Sequence, residues 1–197
     1  MSGAAPTPSP AQARGMLAAM LAAAVFAAAI SLSQPLLAVL MTREGWSGGA
    51  IGISAAMTAL GTIAMGPLAA RGAPRVGPAR WIALCLATAA LAALSIWIWP
   101  GYAWGLVARF LLGLATGGVF VAAEYWFVAV APAAARGRLV ARYALLVGVG
   151  FVLGPSLYAL IGPDGFAPFA AIIAVAALAA ADGELSRLGW RTIAEAR

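Results

Sequence analysis

Six apolar runs follow one another through nearly the whole chain, and each is about as long as a bilayer is thick. They lie at about Met16–Met41, Gly48–Ala70, Trp81–Trp99, Tyr102–Val130, Leu139–Ile161 and Phe166–Ala181. About 20 consecutive apolar residues in a helix cross the hydrocarbon core. The sixth run is the shortest and carries Pro168. Hydrophobic residues make up 64% of the chain and charged residues 9%. A soluble domain carries about 25% charged residues. One globular core cannot hide this much apolar surface, so lipid is the solvent. The fold class expected is all-α, a polytopic membrane protein with six transmembrane helices. A transmembrane barrel would alternate in polarity over segments of about ten residues, and no such alternation is present.

The charges read as membrane topology rather than as a nucleic-acid surface. All twelve basic residues are arginine. If six helices alternate in direction, ten of them fall on one side: Arg14, Arg71, Arg75, Arg80, Arg136, Arg138, Arg142, Arg187, Arg191 and Arg197. The other side has only Arg43. The positive-inside rule then puts both termini in the cytoplasm, as in a multi-pass protein of a bacterial inner membrane. Trp46, Trp97, Trp99, Tyr102 and Trp104 are placed to form an outer aromatic belt, with Trp81, Tyr125 and Trp126 at the inner interface. Residues 1–13 are rich in Ala, Pro and Ser and are expected to be a disordered tail; 14–181 form the membrane domain and 182–197 a polar cytoplasmic tail. Arg14 and Met16–Ile30 resemble a signal peptide, but the apolar run continues to Met41. Ser47 is placed to cap the second helix.

One cation is left over. Arg109 lies inside the fourth run, and a guanidinium does not lose its proton in a protein. Placing it at mid-membrane costs at least about 2.5–3.5 kcal/mol, so it is expected beside a wet cavity or a partner. The plainer alternative is snorkelling to the outer surface, about 10 Å away. Gly113 and Gly117 follow at four-residue spacing and allow close helix packing. Glu124 lies about 22 Å deeper along the same helix. It reads either as a desolvated proton carrier or as a structural partner of Arg80, Arg136 or Arg138. In the first run, Ser31, Ser33, Gln34 and Pro35 are the polar exception. Gln34 and Arg109 each lie seven residues from the outer end of their runs, so both are expected at one depth; they read either as facing one pocket or, for Gln34, as a satisfied hydrogen bond between helices. In the fifth run, Gly150, Gly154 and Pro155 suggest a packing face on a helix built to bend. No residue set implies a metal or a cofactor. The chain has no histidine and one cysteine, which leaves no nucleophile–base or metal cluster for an enzyme.

These stretches resemble the N-terminal half of a major facilitator superfamily transporter. Thr42–Ser47 running into Ala50–Gly52 looks like the family's entry to its second helix. Gly66 through Arg71 to Arg75 looks like its cytoplasmic loop motif, G-x-x-x-D-R-x-G-R-R. Ala70 stands where the family has an aspartate, and Pro74 where it has an arginine. Arg109–Gly117 looks like its fourth-helix R-x-x-x-G-x-x-x-G, and Gly150–Pro155 like its fifth-helix motif. Glu124 and Trp126, then Arg136, Arg138 and Tyr143, are similar to a bacterial subgroup of exporters.

The resemblance implies a secondary active transporter, half the family's usual length, exporting a small organic solute by proton coupling. Arg109, Glu124 and Gln34 are then the expected substrate or proton pathway. Gly113, Gly117, Gly150, Gly154 and Pro155 are the expected packing and gating positions. The expected partners are the lipid bilayer, a small-molecule substrate, and a second half-transporter or second copy of the chain; nucleic acid is not among them. The competing expectation is a truncated, non-transporting fragment or a membrane scaffold.

Overall fold

Long helices dominate the computed structural model, which describes residues 10–130 and 135–178. Five of them are α1 (Pro10–Arg43), α2 (Gly48–Val76), α3 (Pro78–Ile98), α4 (Tyr102–Val130) and α5 (Arg136–Ile161). All five are long and apolar enough to cross a membrane, and a shorter apolar helix, α6 (Ala167–Leu178), follows. No strand occurs among the described residues. The expectations for residues 1–9 and 179–197, and for the side chains of Arg14 and Trp126, lie outside the described residues.

The predicted boundaries shift at two places. α1 starts at Pro10, so Arg14 falls on a helix rather than ahead of one. The larger correction concerns Gly66, Arg71 and Arg75, which the sequence motif puts in a loop. All three lie within α2, which runs unbroken through Pro67 and Pro74. The helix stops instead at Gly77, whose φ of 86° suits a residue without a Cβ, and whose N–H closes onto the Ala73 carbonyl at 3.0 Å. Gly72 serves packing: a Cβ there would run into the Trp81 ring of α3.

Two helix pairs carry most of the packing, α1 against α5 and α2 against α4, with α3 laid on α4. If α1–α3 are mapped onto α4–α6, the pair α1·α5 becomes α4·α2. The two extensive pairs thus exchange, the pattern of a three-plus-three inverted repeat, which the sequence itself does not reveal. α1 and α4 are the inner helices. Ala22, Ala23, Ala27 and Ala29 of α1 are buried, as are Ala108, Leu112, Ala115 and Val119 of α4. α2 and α5 are mostly exposed, with Ile63 at 72% and Val152 at 69%, so their outer faces need lipid or another bundle.

Small residues explain how the pairs close. A Cβ on Gly113 would collide with the Thr58 carbonyl of α2, and one on Gly117 would lie 2.8 Å from the Thr62 carbonyl. Gly61 of α2 meets the Phe110 carbonyl of α4 in the same way. Thr62 Oγ1 then donates to the Gly113 carbonyl at 3.1 Å. On the other pair, Gly150 sits against the Ala24 carbonyl, and Gly154 against Ser31 Oγ and the Ala28 carbonyl. Lipid tails are as apolar as leucine, so dispersion at close backbone approach replaces the hydrophobic effect as the driving force.

Cys85, the single cysteine of the chain, is 5% exposed, and a Cβ on Gly118 of α4 would collide with its Sγ. Its thiol therefore reports folding. A maleimide should label the folded protein at least about 100-fold more slowly than the protein unfolded in SDS, because reaction requires α3 and α4 to separate. Equal rates would show that this interface is open.

Candidate functional site

Three turns converge at one end of the bundle. Trp46, just before α2, stacks on Tyr102 at the start of α4, with ring centroids 4.5 Å apart. Arg43 at the end of α1 pairs with Asp164 in the α5–α6 turn, Nη1 to Oδ1 at 2.6 Å. Trp97 of α3 lies 5.6 Å from the Phe166 and Phe169 rings. Ser47 caps α2 by accepting from the Ala50 N–H at 3.3 Å, and Tyr102 Oη donates to the Ala50 carbonyl at 3.2 Å.

Beneath these turns is a cavity of about 320 Å³. Leu37, Leu40, Ile96, Trp97 and Phe169 supply apolar wall, Ser54 a hydroxyl, and Gly105 and Arg109 one face of α4. Arg43, Glu44, Trp46, Tyr102 and Asp164 also line it. The acids are engaged: Asp164 holds Arg43, and Glu44 Oε2 accepts from Trp46 Nε1 at 2.9 Å. Arg43 and Asp164 are 53% and 82% exposed, so their pair is weakly stabilising. Arg43→Gln should change stability by no more than about 1 kcal/mol, read from thermal exposure of Cys85; a larger loss would make the pair a structural clamp.

Arg109 and Gln34, which sequence depth puts level, meet. Arg109 is 2% exposed, and its Nη1 donates to Gln34 Oε1 at 2.6 Å. The guanidinium does not snorkel to the surface. Its Nε is buried without a hydrogen-bond partner among the described residues. Gln34 is neutral, so the contact satisfies one donor and leaves the charge uncompensated. Ser31 and Ser33, the other polar residues of that stretch, serve the backbone instead. Ser33 Oγ donates to the Ile30 carbonyl at 2.6 Å and Ser31 Oγ to the Ala28 carbonyl at 3.2 Å.

Glu124 is not brought to this cavity. It lies near the opposite end of α4 and is exposed, which corrects the expectation of a buried acid. Fifteen residues from Arg109, at about 100° each, leave it about 60° around an ideal helix. Ala122 and Ala123 face the core there, while Val121, Glu124 and Tyr125 are exposed. Glu124 forms no ion pair with Arg80, Arg136 or Arg138; among the described residues the recorded pair is Arg43–Asp164. It lies within electrostatic reach of Tyr143 on α5. Higher up, Phe120 of α4 and Phe151 of α5 approach with ring centroids 6.4 Å apart. Arg136 and Arg138 are exposed in the first turn of α5, and Arg71 and Arg75 are near the end of α2.

Sequence reasoning missed Ser54 and the link between Arg43 and Asp164. Opposite charges on two turns of one side were the available signal for that link. Ser54 gave none, because its hydroxyl matters only where α2 faces the cavity.

No curated protein matches the chain. The family model for the Major Facilitator Superfamily matches residues 19–188, nearly the whole helical bundle. Among the described residues, six helices, an inverted pairing of inner and outer helices and a buried fourth-helix arginine are the structural counterpart of that match. The chain belongs to the major facilitator superfamily and is a multi-pass membrane transporter protein of that family.

Proposed function

We propose that this chain is one six-helix half of a proton-coupled exporter of small organic solutes in a bacterial cytoplasmic membrane. The observation that carries the reading is Arg109: a permanent cation, 2% exposed, held by a neutral glutamine, at the wall of a cavity. Keeping such a charge away from water is costly, and the cost is retained where a charge or ligand must be handled. Arg109 and Gln34 bind or sense the passing solute. Glu124 carries the proton once a second bundle covers it, with Tyr143 as its neighbour.

The second bundle is another half-transporter or a second copy of this chain. The family's transport site lies near mid-membrane between two halves, which rock about it. The exposed apolar faces of α2 and α5 support this partnering, because they flank the buried pair α1 and α4. Gly150, Gly154 and Pro155 let α5 slide against α1, and Gly113 and Gly117 do the same for α4 against α2. Arg71, Arg75, Arg136 and Arg138 hold their ends of the helices in the cytoplasm.

The test is reconstitution into lipid vesicles that enclose a pH-sensitive dye. Adding members of a panel of small organic solutes should move protons across the membrane for at least one of them. The protein should migrate in detergent as a dimer or with a second six-helix chain. A monomer with protected Cys85 and no solute-driven proton movement would refute the reading.

A further inference from the structure

We infer that the cavity beneath the Trp46–Tyr102 stack is a binding site for a small carboxylate with an apolar tail. The inference rests on the reading of Arg109 and Gln34 as ligand-handling residues, and it goes further by naming the ligand's chemistry and its place.

Charge comes first. Four charged side chains line the cavity, and three are engaged at the rim: Arg43 with Asp164, and Glu44 with the Trp46 indole. Neither Glu44 nor Arg109 has a counter-charge, but Glu44 is held by the indole, whereas Arg109 keeps a buried donor without a partner among the described residues. Its one recorded partner is the Gln34 amide oxygen, and its Nε has none. A planar guanidinium with free donors matches a carboxylate. Gln34 accepts from Arg109 through its oxygen and so holds the guanidinium at the cavity wall.

Size and wall chemistry come second. About 320 Å³ is at the lower end of the range for small-molecule pockets. Leu37, Ile96, Trp97 and Phe169 offer apolar and aromatic surface beside the cation. That combination favours one charged group on a compact hydrophobic body, such as an aromatic or branched monocarboxylate. A dicarboxylate has only one cation to meet. A phosphate would leave the apolar wall unused.

Every lining residue belongs to this chain, and they cluster at the end where α1 meets α2, α3 meets α4 and α5 meets α6.

Benzoate and its neutral counterpart benzamide are the probes, titrated into the purified full chain in lipid nanodiscs by calorimetry. Benzoate should bind saturably, and benzamide at least about tenfold more weakly, because it brings no negative charge and offers the guanidinium one acceptor oxygen instead of two. Arg109→Gln should bring the two to equal affinity. That variant bears on the fold as well as the ligand, so Gly105→Leu provides a second arm. Gly105 lines the cavity one turn before Arg109, and a Cβ there meets nothing within 4 Å. The leucine should fill the cavity and cost benzoate at least about tenfold in affinity while Cys85 stays protected. Equal binding of the two probes by the unaltered protein, unchanged benzoate binding by Gly105→Leu, or no saturable benzoate binding would each overturn the inference. Solute-driven proton flux without benzoate binding would overturn it while leaving the transporter reading in place. Benzoate binding without any flux would do the reverse.

Discussion

Arg109→Ala should abolish solute-driven proton movement in vesicles while the chain still inserts and folds. Two effects separate here. A hydrogen bond to a charged group contributes about 1.5–3 kcal/mol, so losing the guanidinium's contact with a ligand lowers binding roughly 10- to 100-fold. Losing the cation also removes any charge coupling between solute and proton, so the expected flux is at background. The fold responds differently. The substitution leaves the Gln34 oxygen without its donor, yet it also deletes a charge whose burial costs free energy. Those terms oppose each other, and the tight α2–α4 contacts at Gly113 and Gly117 are untouched. Thermal labelling of Cys85 should therefore shift little. Flux above half of the original rate in the alanine variant would remove Arg109 from the pathway. Lost flux together with early labelling of Cys85 would make it a structural residue.

Gly113→Ala should be the most damaging single-methyl change in the chain. The added Cβ would meet the Thr58 carbonyl oxygen, carbon and Cα, all backbone atoms, and no rotamer change can relieve the clash. α2 and α4 have to move apart along a seam that also holds Gly61, Gly117 and the Thr62 hydrogen bond. Overpacking of this kind costs about 1–3 kcal/mol, and a bulkier residue costs more. Gly52→Ala and Gly66→Ala are the matched controls. Both positions are helical, and a Cβ at either meets nothing within 4 Å. Alanine there should be neutral or stabilising by up to about 1 kcal/mol, since glycine is the poorer helix residue. The temperature at which Cys85 becomes reactive measures all three. Gly113→Ala behaving like its controls would show that the seam is looser than its geometry.

Those controls also mark where linear reading of the sequence ends. Gly66 and Gly113 look alike in the chain, each a glycine in a motif of small residues. One faces open space and the other a carbonyl oxygen. The four-residue repeat puts Gly113 and Gly117 on one face, because helical period is a local property, while Arg109 at its head reaches Gln34 of α1. What that face touches, Thr58 and Thr62, is set more than 50 residues away and leaves no mark in the local pattern. The loop motif misled for a related reason. The second apolar run ends at Ala70, whereas α2 continues through Pro74 and the turn is made by Gly77. Gly72, inside the motif, makes room for Trp81. For Glu124, depth along α4 was readable but orientation was not, because the face turned to the core depends on which helices surround α4.

The sequence alone determined the solvent, the helical class, the number of apolar runs and the presence of one buried cation. These follow from hydropathy and length, which add up residue by residue without reference to neighbours. Tertiary structure decided that Arg109 meets Gln34 across 75 residues, that Arg43 meets Asp164 across 121, and that α1 pairs with α5 and α2 with α4. In lipid every helix is equally apolar, so burial cannot choose partners. Close approach between backbones chooses them, and that fit exists only when two helices are side by side.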